Sequence, residues 1–333
     1  GPVHHHAIPI STRAARQMRN FFFINPFTGQ GKGTEKLVEG IERISKELDA
    51  DSSVYLTEAA GDGERRARET AERLRGEPAR FYACGGDGTL NEVFAGALGF
   101  TNAQVASVPC GSGNDFIRTF GQSSRFLDIA AQMNGRAVPI DLIETDSGVC
   151  AAICSVGVDS EVAYGIPKFR RLPLCGGSMA YQLSIALRVL RPLAKHLRIT
   201  VDGETLEGDY VIATVCNGKS YGGGYFAAPE ASVTDGLLDV VLVKKLSRLR
   251  LAKVLGIYKR GEHMHAGSVR EDLRDIMQFF RAREVCIQPP AGMRPIVNID
   301  GECAPAGGLH AKVLPLAASF VLPVPLASGG KRG

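Results

Sequence analysis

The chain has 333 residues, 44% apolar and 22% charged, an ordinary globular composition with room for two domains of about 150 residues each, which excludes disordered and fibrous classes. Its 39 basic and 35 acidic residues leave a formal charge of +4, too mild and dispersed for a nucleic-acid protein, though it favours an anionic surface. No window approaches the roughly 20 uninterrupted apolar residues of a membrane-spanning helix, since the run 313–326 is broken by Pro315, Pro323 and Pro325.

The first 16 residues carry His4, His5 and His6 but no apolar stretch followed by a small-residue cleavage site, so secretion is not indicated. The eight cysteines are scattered without a Cys-x-x-Cys pair; they read as small buried hydrophobes in a reducing cytosol. Cys150 and Cys154, four apart in an apolar segment, are the only pair that suggests anything else.

From residue 21 the chain alternates apolar runs with amphipathic stretches, which predicts a parallel sheet flanked by helices. Phe21-Phe22-Phe23-Ile24 is a buried strand ended by Asn25-Pro26, and Leu37, Val38, Ile41, Ile44 and Leu48 recur at helical spacing from Thr34 onward. Val54-Tyr55-Leu56 is the second strand, followed by a helix over 62–75; a third strand over 80–83 enters Gly85-Gly86-Asp87-Gly88-Thr89 and a helix carrying Leu90, Val93, Phe94 and Ala97. A fourth strand over 104–108 enters Pro109-Cys110-Gly111-Ser112-Gly113-Asn114-Asp115. Each strand thus ends in glycines, at the edge where open α/β sheets bind ligands.

The first loop, residues 25–33, is neither a Walker A sequence nor G-x-G-x-x-G, because Lys32 is followed by Gly33 and Thr34 takes the last glycine position. The second is sharper: three glycines around Asp87 exceed what a turn requires, admit a polyphosphate close to the backbone, and set a carboxylate beside magnesium. Asn91 and Glu92 read as first-turn capping and charge, and Asp115 reads either as a phosphate-loop acid or as the cap of a helix starting at Phe116.

Near Pro139 the texture changes to short β-rich runs over 197–201, 210–216, 238–243, 284–287 and 296–299, interrupted by helices around 178–190 and 249–258; this predicts an antiparallel sandwich. Asn298-Ile299-Asp300-Gly301-Glu302 ends one run. If it stays extended, Asp300 and Glu302 face one side and converge on one proton and one metal; the alternative is a plain Asp-Gly hairpin turn. Thr234-Asp235-Gly236-Leu237-Leu238-Asp239 is a turn entering a strand, with either acid available to an ion, and Gly222-Gly223-Gly224 is a close-approach site or a flexible bend.

Together, Asn25-Pro26 with its glycines, Gly85-Gly86-Asp87-Gly88-Thr89-x-Asn91-Glu92-Val93, Pro109-x-Gly111-Ser112-Gly113-Asn114-Asp115, Asp235-Gly236-x-Leu238-Asp239 and Asp300-Gly301-Glu302 resemble the bacterial diacylglycerol kinase family of soluble lipid kinases, from about residue 20 to 325. NAD kinases share Gly-Gly-Asp-Gly-Thr and phosphofructokinases have something similar; the two downstream motifs favour the lipid kinases. Ser112 stands where the family usually has Thr, keeping the hydroxyl, and Gly63 where Ala is common.

The resemblance implies a nucleotide-binding α/β domain of the NAD kinase/phosphofructokinase type over 18–138, rejoined by about 315–326. It further implies a mainly antiparallel β-sandwich lipid-substrate domain over 139–314, with 1–17 and 327–333 as flexible tails. ATP would lie in the cleft, contacted by Asn25, Gly86, Asp87, Gly88, Thr89, Gly111, Ser112 and Asn114, with Thr57 at another nucleotide-contacting position and Asp115 nearby. Asp300 would be the catalytic base. Glu302, with Asp87, would hold catalytic Mg2+, and Asp235 a second, structural Mg2+ together with the carbonyls of Ser232 and Leu237.

The implied reaction is γ-phosphoryl transfer from ATP to a hydroxyl of a membrane lipid, diacylglycerol or a relative. The expected setting is the cytoplasm, at the inner face of the membrane, with transient contact to an anionic lipid surface, no nucleic acid, and a homodimer left open. Two segments suit that contact, Lys168, Arg170 and Arg171 beside Phe169 and Leu172, and Arg188, Arg191, Lys195 and Arg198 after an apolar helix; both equally suit ordinary solvated charge. The rival readings are a soluble-substrate kinase of the NAD kinase type and a catalytically silent nucleotide-binding membrane module.

Overall fold

The computed structural model describes residues 18–111, 113–170 and 193–326, the side chains of 29, 30 and 166–170 excepted. Both predicted tails, Ser112, the helix predicted over 178–190, Arg171, Leu172, Arg188 and Arg191 lie outside the described residues, as do the side chains of Lys168, Phe169 and Arg170.

Arg19–Ile24 (β1), Asp51–Leu56 (β2), Ala79–Gly85 (β3) and Ala103–Pro109 (β4) form a parallel sheet in the order β2-β1-β3-β4. Its helices are Thr34–Leu48 (α1), Asp62–Arg73 (α2), Asp87–Ala97 (α3) and the short Ile129–Met133 (α4). Successive side chains of a strand point to opposite faces, so one continuous apolar run feeds two cores. Phe21, Phe23, Phe81 and Ala83 pack with Ala67, Ala71, Leu90, Val93 and Phe94 of α2 and α3; Phe22, Ile24, Tyr82 and Cys84 pack with Ile41 of α1 and Ile129 and Met133 of α4. Phe22 stacks on Tyr82 at 4.1 Å between ring centroids, and burying an aromatic side chain of this size contributes roughly 1.5–3 kcal/mol.

The second half contains Arg136–Thr145 (β5), Gly148–Cys150 (β6), Ile153–Gly157 (β7), the helix Val158–Arg170 (α5), Lys195–Val201 (β8), Glu204–Cys216 (β9), Leu238–Lys244 (β10) and the helix Arg248–Arg260 (α6). It continues through the ribbon Met264–His265 (β11) and Ser268–Val269 (β12) to Met277–Ala282 (β13), Glu284–Gln288 (β14), Ile296–Ile299 (β15), Glu302–Pro305 (β16) and Leu309–Leu322 (β17). These strands pair antiparallel with one another around a core that includes Ile143, Val156, Leu197, Ile199, Val215, Val240, Ile287 and Val297. The outcome is an α/β domain with a parallel sheet joined to an antiparallel β-sandwich. β9 starts six residues before its predicted beginning, because its first half is a largely solvent-facing hairpin arm joined to β8 by Asp202-Gly203, both at positive φ.

β17 belongs to both halves. Its first part pairs with β14 and β5, a register shift follows between Leu314 and Ala318, and Phe320 then pairs in parallel with Val105 of β4. There the Phe320 ring sits among Phe94, Phe116, Phe120 and Phe126, with centroids 5.1 to 6.1 Å away. The last strand therefore closes the edge of the first sheet with aromatic packing.

Candidate functional site

The glycine loops meet at the carboxyl ends of β1, β3 and β4. Asn25 ends β1, and its side-chain oxygen accepts the Phe27 N–H at 3.0 Å, turning the chain into the short helical turn Thr28–Gly31. Thr57, just past β2, is buried; its N–H and hydroxyl both donate to the Ile24 carbonyl, at 2.9 and 3.3 Å. Gly86 is extended, and Asp87 opens α3, so that the free N–H groups of a helix start face this edge. A Cβ on Gly111 would lie 2.9 Å from the Thr28 methyl and 3.0 Å from the Gly86 backbone. Contact between the three loops is thus as tight as glycine allows. Asn114, at φ 49, folds its amide back onto the Gly111 carbonyl at 2.7 Å, while the buried Thr89 side chain lies against Gly85.

Carboxylates converge on these loops. Asp87 accepts the N–H groups of Asp115 at 3.1 Å and Phe116 at 3.5 Å. It is therefore Asp87 that serves the start of the short helix Phe116–Phe120, and the capping alternative for Asp115 is overturned: its side chain makes no cap bond. Asp115 instead accepts the Arg118 guanidinium at 2.7 Å and, from the second half, the Gly223 N–H at 3.2 Å. The triglycine loop takes positive φ at all three residues and brings the Gly223 N–H to Asp115. Burial pushes Asp87 up to about 7; the nearby Asp115 and Asp300 charges add to this, and the Asp115 N–H bond opposes it. Burial also raises Asp115, with Asp300 adding and the Gly223 N–H and Arg118 opposing.

Asp300 comes from the second half, at the turn between β15 and β16. The extended arrangement does not persist: Asp300 and Gly301 take φ values of 49 and 90, and Asn298 accepts the Gly301 N–H at 2.8 Å. Asp300 and Glu302 therefore do not share a strand face, a correction that follows from the turn preference of Asp-Gly. The turn still delivers the Asp300 carboxylate inward. One oxygen accepts the N–H groups of Ala152 at 2.8 Å and Ile153 at 3.2 Å and the Cys150 thiol at 3.3 Å; the other accepts the Ala151 N–H at 2.6 Å and the Asn91 amide at 2.8 Å. The exposed Glu302 reaches the same loop by another route, its carboxylate oxygen 3.6 Å from the Cβ position of Gly88.

Asn91 was legible only as a helix-opening residue, yet it joins the halves: its amide also donates to the Val149 carbonyl at 2.6 Å. Its position four after Asp87 in α3 is the signal, since i and i+4 share a helix face. Glu92 likewise leaves its own helix, accepting the Gly61 N–H at 2.5 Å and the Gly63 N–H at 3.2 Å at the start of α2. Asn91→Ala is expected to cost about 1–3 kcal/mol of stability through lost buried hydrogen bonds and roughly ten-fold in turnover. Asn91→Asp, with a fourth carboxylate against Asp300, is expected to be worse on both counts; thermal melts and steady-state assays of the pair check the order.

Asp235, Ser232 and Leu237 lie in a separate loop. Asp235 accepts the Leu237 N–H at 3.0 Å, and the Ser232 and Thr234 hydroxyls are 3.1 Å apart. Behind them stands Asp141, which carried no motif: fully buried, it accepts the N–H groups of Gly236 and Leu316, each at 2.8 Å, tying this loop to the bend in β17. Asp239 pairs with Arg281 at 3.5 Å through one oxygen and has no partner on the other. Burial pushes it up to about 6, with Asp235 and Glu230 adding and Arg281 opposing. Among the described residues no three His, Cys, Asp or Glu side chains stand at spacing that would hold a metal by themselves. Cys150 and Cys154 are free thiols.

Known proteins resemble this chain in sequence and in fold. The profile of the diacylglycerol kinase catalytic domain matches residues 19–145, and that of the YegS C-terminal NAD kinase beta sandwich-like domain matches 152–322. A diacylglycerol kinase of Bacillus subtilis (strain 168) is 31% identical over 283 residues, covering 84% of this chain and 88% of that protein. A diacylglycerol kinase of Mycobacterium tuberculosis (strain ATCC 25618 / H37Rv) is 29% identical over 257 residues, 74% of this chain and 79% of that one. In fold, the crystal structure of a diacylglycerol kinase from Bacillus anthracis str. Sterne superposes with a TM-score of 0.63 at 19% identity, over 91% of this chain and 96% of that one. With two adjoining profiles spanning nearly all of its described residues, this chain belongs to the diacylglycerol kinase family of lipid kinases.

Proposed function

We propose that this kinase transfers the γ-phosphoryl group of ATP to a hydroxyl of a membrane lipid, diacylglycerol or a close relative, with Mg2+. The observation that supports this reading most directly is the seating of Asp300, from one half of the chain, against Asn91 in the first turns of α3, from the other. Phosphoryl transfer needs a phosphate cradle and a group aimed at the attacking oxygen, and little covalent chemistry from the protein.

The cradle is the convergence of Asn25, Thr57, Gly86, Asp87, Gly88, Thr89, Gly111, Asn114 and Asp115, with Ser112 in the same loop outside the described residues. Helix-start and loop N–H groups bind the phosphates. Asp300 accepts the proton of the lipid hydroxyl as the oxygen–phosphorus bond forms, and its five donors fix the carboxylate before substrate arrives.

The donor sets fit two magnesium ions. Asp87 is a buried carboxylate facing two others, a charge conflict that a cation at Asp87 and Glu302 relieves; phosphate oxygens and water complete such a shell, so three protein ligands are unnecessary. At the second place Asp239 leaves a buried oxygen without a partner beside Asp235, and Asp235 with the carbonyls of Ser232 and Leu237 would hold the ion. When bound, Mg2+ would supply positive charge for the transferring phosphate at Asp87 and Glu302 and, at Asp235, would tie down the loop anchored by Asp141.

Among the described residues no helix is long and apolar enough to cross a membrane; the lipid is reached by peripheral contact with an anionic face of the bilayer, on the cytoplasmic side. Radiolabelled ATP with a total lipid extract, the product identified by mass, tests the reading. A labelled lipid phosphate is expected. Label appearing only on a soluble alcohol such as NAD, or ATP binding without turnover on any acceptor, would replace it with one of the two rival readings.

A further inference from the structure

We infer that the outward face of α6 is the surface on which the protein rests against an anionic bilayer, an inference that builds on the lipid-kinase reading of the cleft. Between Val240 and Gly261 the sequence holds seven cations, Lys244, Lys245, Arg248, Arg250, Lys253, Lys259 and Arg260, and no acid. The whole chain carries only +4, so the remainder is net negative, and among the described residues this segment is a dense run of positive charge without an acid.

The helix sorts these residues by face. Leu251, Val254 and Tyr258 are buried, and Arg250 turns to Asp275 at 2.6 and 2.8 Å. The opposite face exposes Arg248, Leu249, Ala252, Lys253, Lys259 and Arg260, and Lys245 is exposed in the loop leading into the helix. Arg260 pairs with the exposed Glu262 at 3.1 Å, a contact of little energetic weight, and the Lys259 ammonium lies 5.5 Å from the centroid of the Tyr225 ring.

Helix stability does not explain the pattern. Cations favour the last turn of a helix and oppose its dipole at the first, where α6 has Arg248 and Arg250 and no acid. Lys244 and Lys245 precede that turn and add to the conflict. Leu249, in the same turn, is 83% exposed, the most exposed of the large apolar side chains among the described residues. An apolar side chain held out among cations suits a headgroup and acyl boundary, which offers negative charge and hydrocarbon together; nucleic acid offers only the first to a leucine. The far end of the helix adjoins the cleft: the Tyr258 and Tyr221 hydroxyls are 2.9 Å apart, the Lys259 carbonyl accepts the Phe226 N–H at 3.1 Å, and the Tyr221–Tyr225 hairpin between them brings Gly223 to Asp115.

Sedimentation with vesicles of phosphatidylcholine alone, or mixed with phosphatidylglycerol, tests this without ATP or any acceptor lipid, and so independently of the kinase reaction. The wild-type protein is expected to bind only the mixed vesicles. Lys245→Gln with Lys253→Gln should weaken that binding about 30-fold, at roughly ten-fold per 1.4 kcal/mol and about 1 kcal/mol per basic residue near the surface; Leu249→Ser should weaken it several-fold. Both variants should keep the wild-type melting temperature and the wild-type rate on acceptor presented in detergent micelles. Variant binding equal to wild type, wild-type indifference to phosphatidylglycerol, or tighter binding of a homopolymeric RNA than of vesicles would overturn the inference while leaving the micelle assay to judge the kinase. Vesicle binding by α6 in a protein without turnover would sink the kinase reading and retain the surface.

Discussion

Asp300→Asn is expected to lower lipid phosphorylation by about 10²–10⁴-fold, the range a positioned proton acceptor contributes, while ATP still binds. The substitution preserves shape but places an amide N–H₂ where a carboxylate oxygen now stands. If the amide nitrogen takes the outer position, it meets the Ala151 N–H and the Asn91 amide; if it takes the inner one, it meets Ala152 and Ile153. Donors face donors either way, at a cost of about 1–3 kcal/mol for the buried groups left unpaired, so the variant should melt several degrees lower. Nucleotide titration separates the two effects: near-native ATP affinity with lost turnover is the expected pattern, and near-native turnover on every lipid tested would remove Asp300 as the base.

The largest effect on stability should come from pH acting on Asp87. Its folded value of about 7 lies above the ordinary carboxylate value of 3.8, so the folded protein binds this proton more tightly than the unfolded chain does. Stability from that proton is complete below about pH 4 and is lost as pH rises through about 7, a loss on the order of 2–4 kcal/mol. Asp115, Asp159 and Asp239, also raised mainly by burial, act in the same direction. Without added metal the melting temperature should therefore fall between pH 5 and pH 8. Millimolar Mg2+ should flatten that slope, because an ion bound only by the folded state restores stability where Asp87 is ionised. Asp87→Asn should remove most of the slope and weaken the magnesium effect. A metal-free melting temperature independent of pH would contradict the charge conflict drawn from the three acids.

The first sheet was legible because its signals are local. A parallel strand buried on both faces must be apolar throughout, as Phe21 to Phe23 are, and the helix behind it must repeat at three and four, as Ile41 and its neighbours do. The glycine motifs were equally legible, because closeness of backbones removes every residue with a Cβ; Gly111 against Gly86 shows that limit. What stayed hidden depends on the sign of a dihedral angle or on partners far along the chain. Periodicity does not reveal that Asp300 takes a positive φ, so the sequence left open whether the paired acids share a strand face or are separated by an Asp-Gly turn, and the turn is what forms. Asn91 stood in a motif without a role beyond opening the helix and Asp141 had no motif, since an amide 209 positions from Asp300 and a lone buried acid under a loop acquire meaning only when both halves fold together.

Strand β17 has a consequence for biosynthesis. Val105 pairs with Phe320, and at ribosomal rates of about 5–20 residues per second the earlier strand emerges some ten to forty seconds before its neighbour exists. Until then the edge of β4 is open, and Phe94, Phe116, Phe120 and Phe126 lack the ring they surround. A nascent chain halted before residue 309 would thus hold every glycine loop and still present an unfinished, adhesive sheet, the kind of surface that chaperones shield.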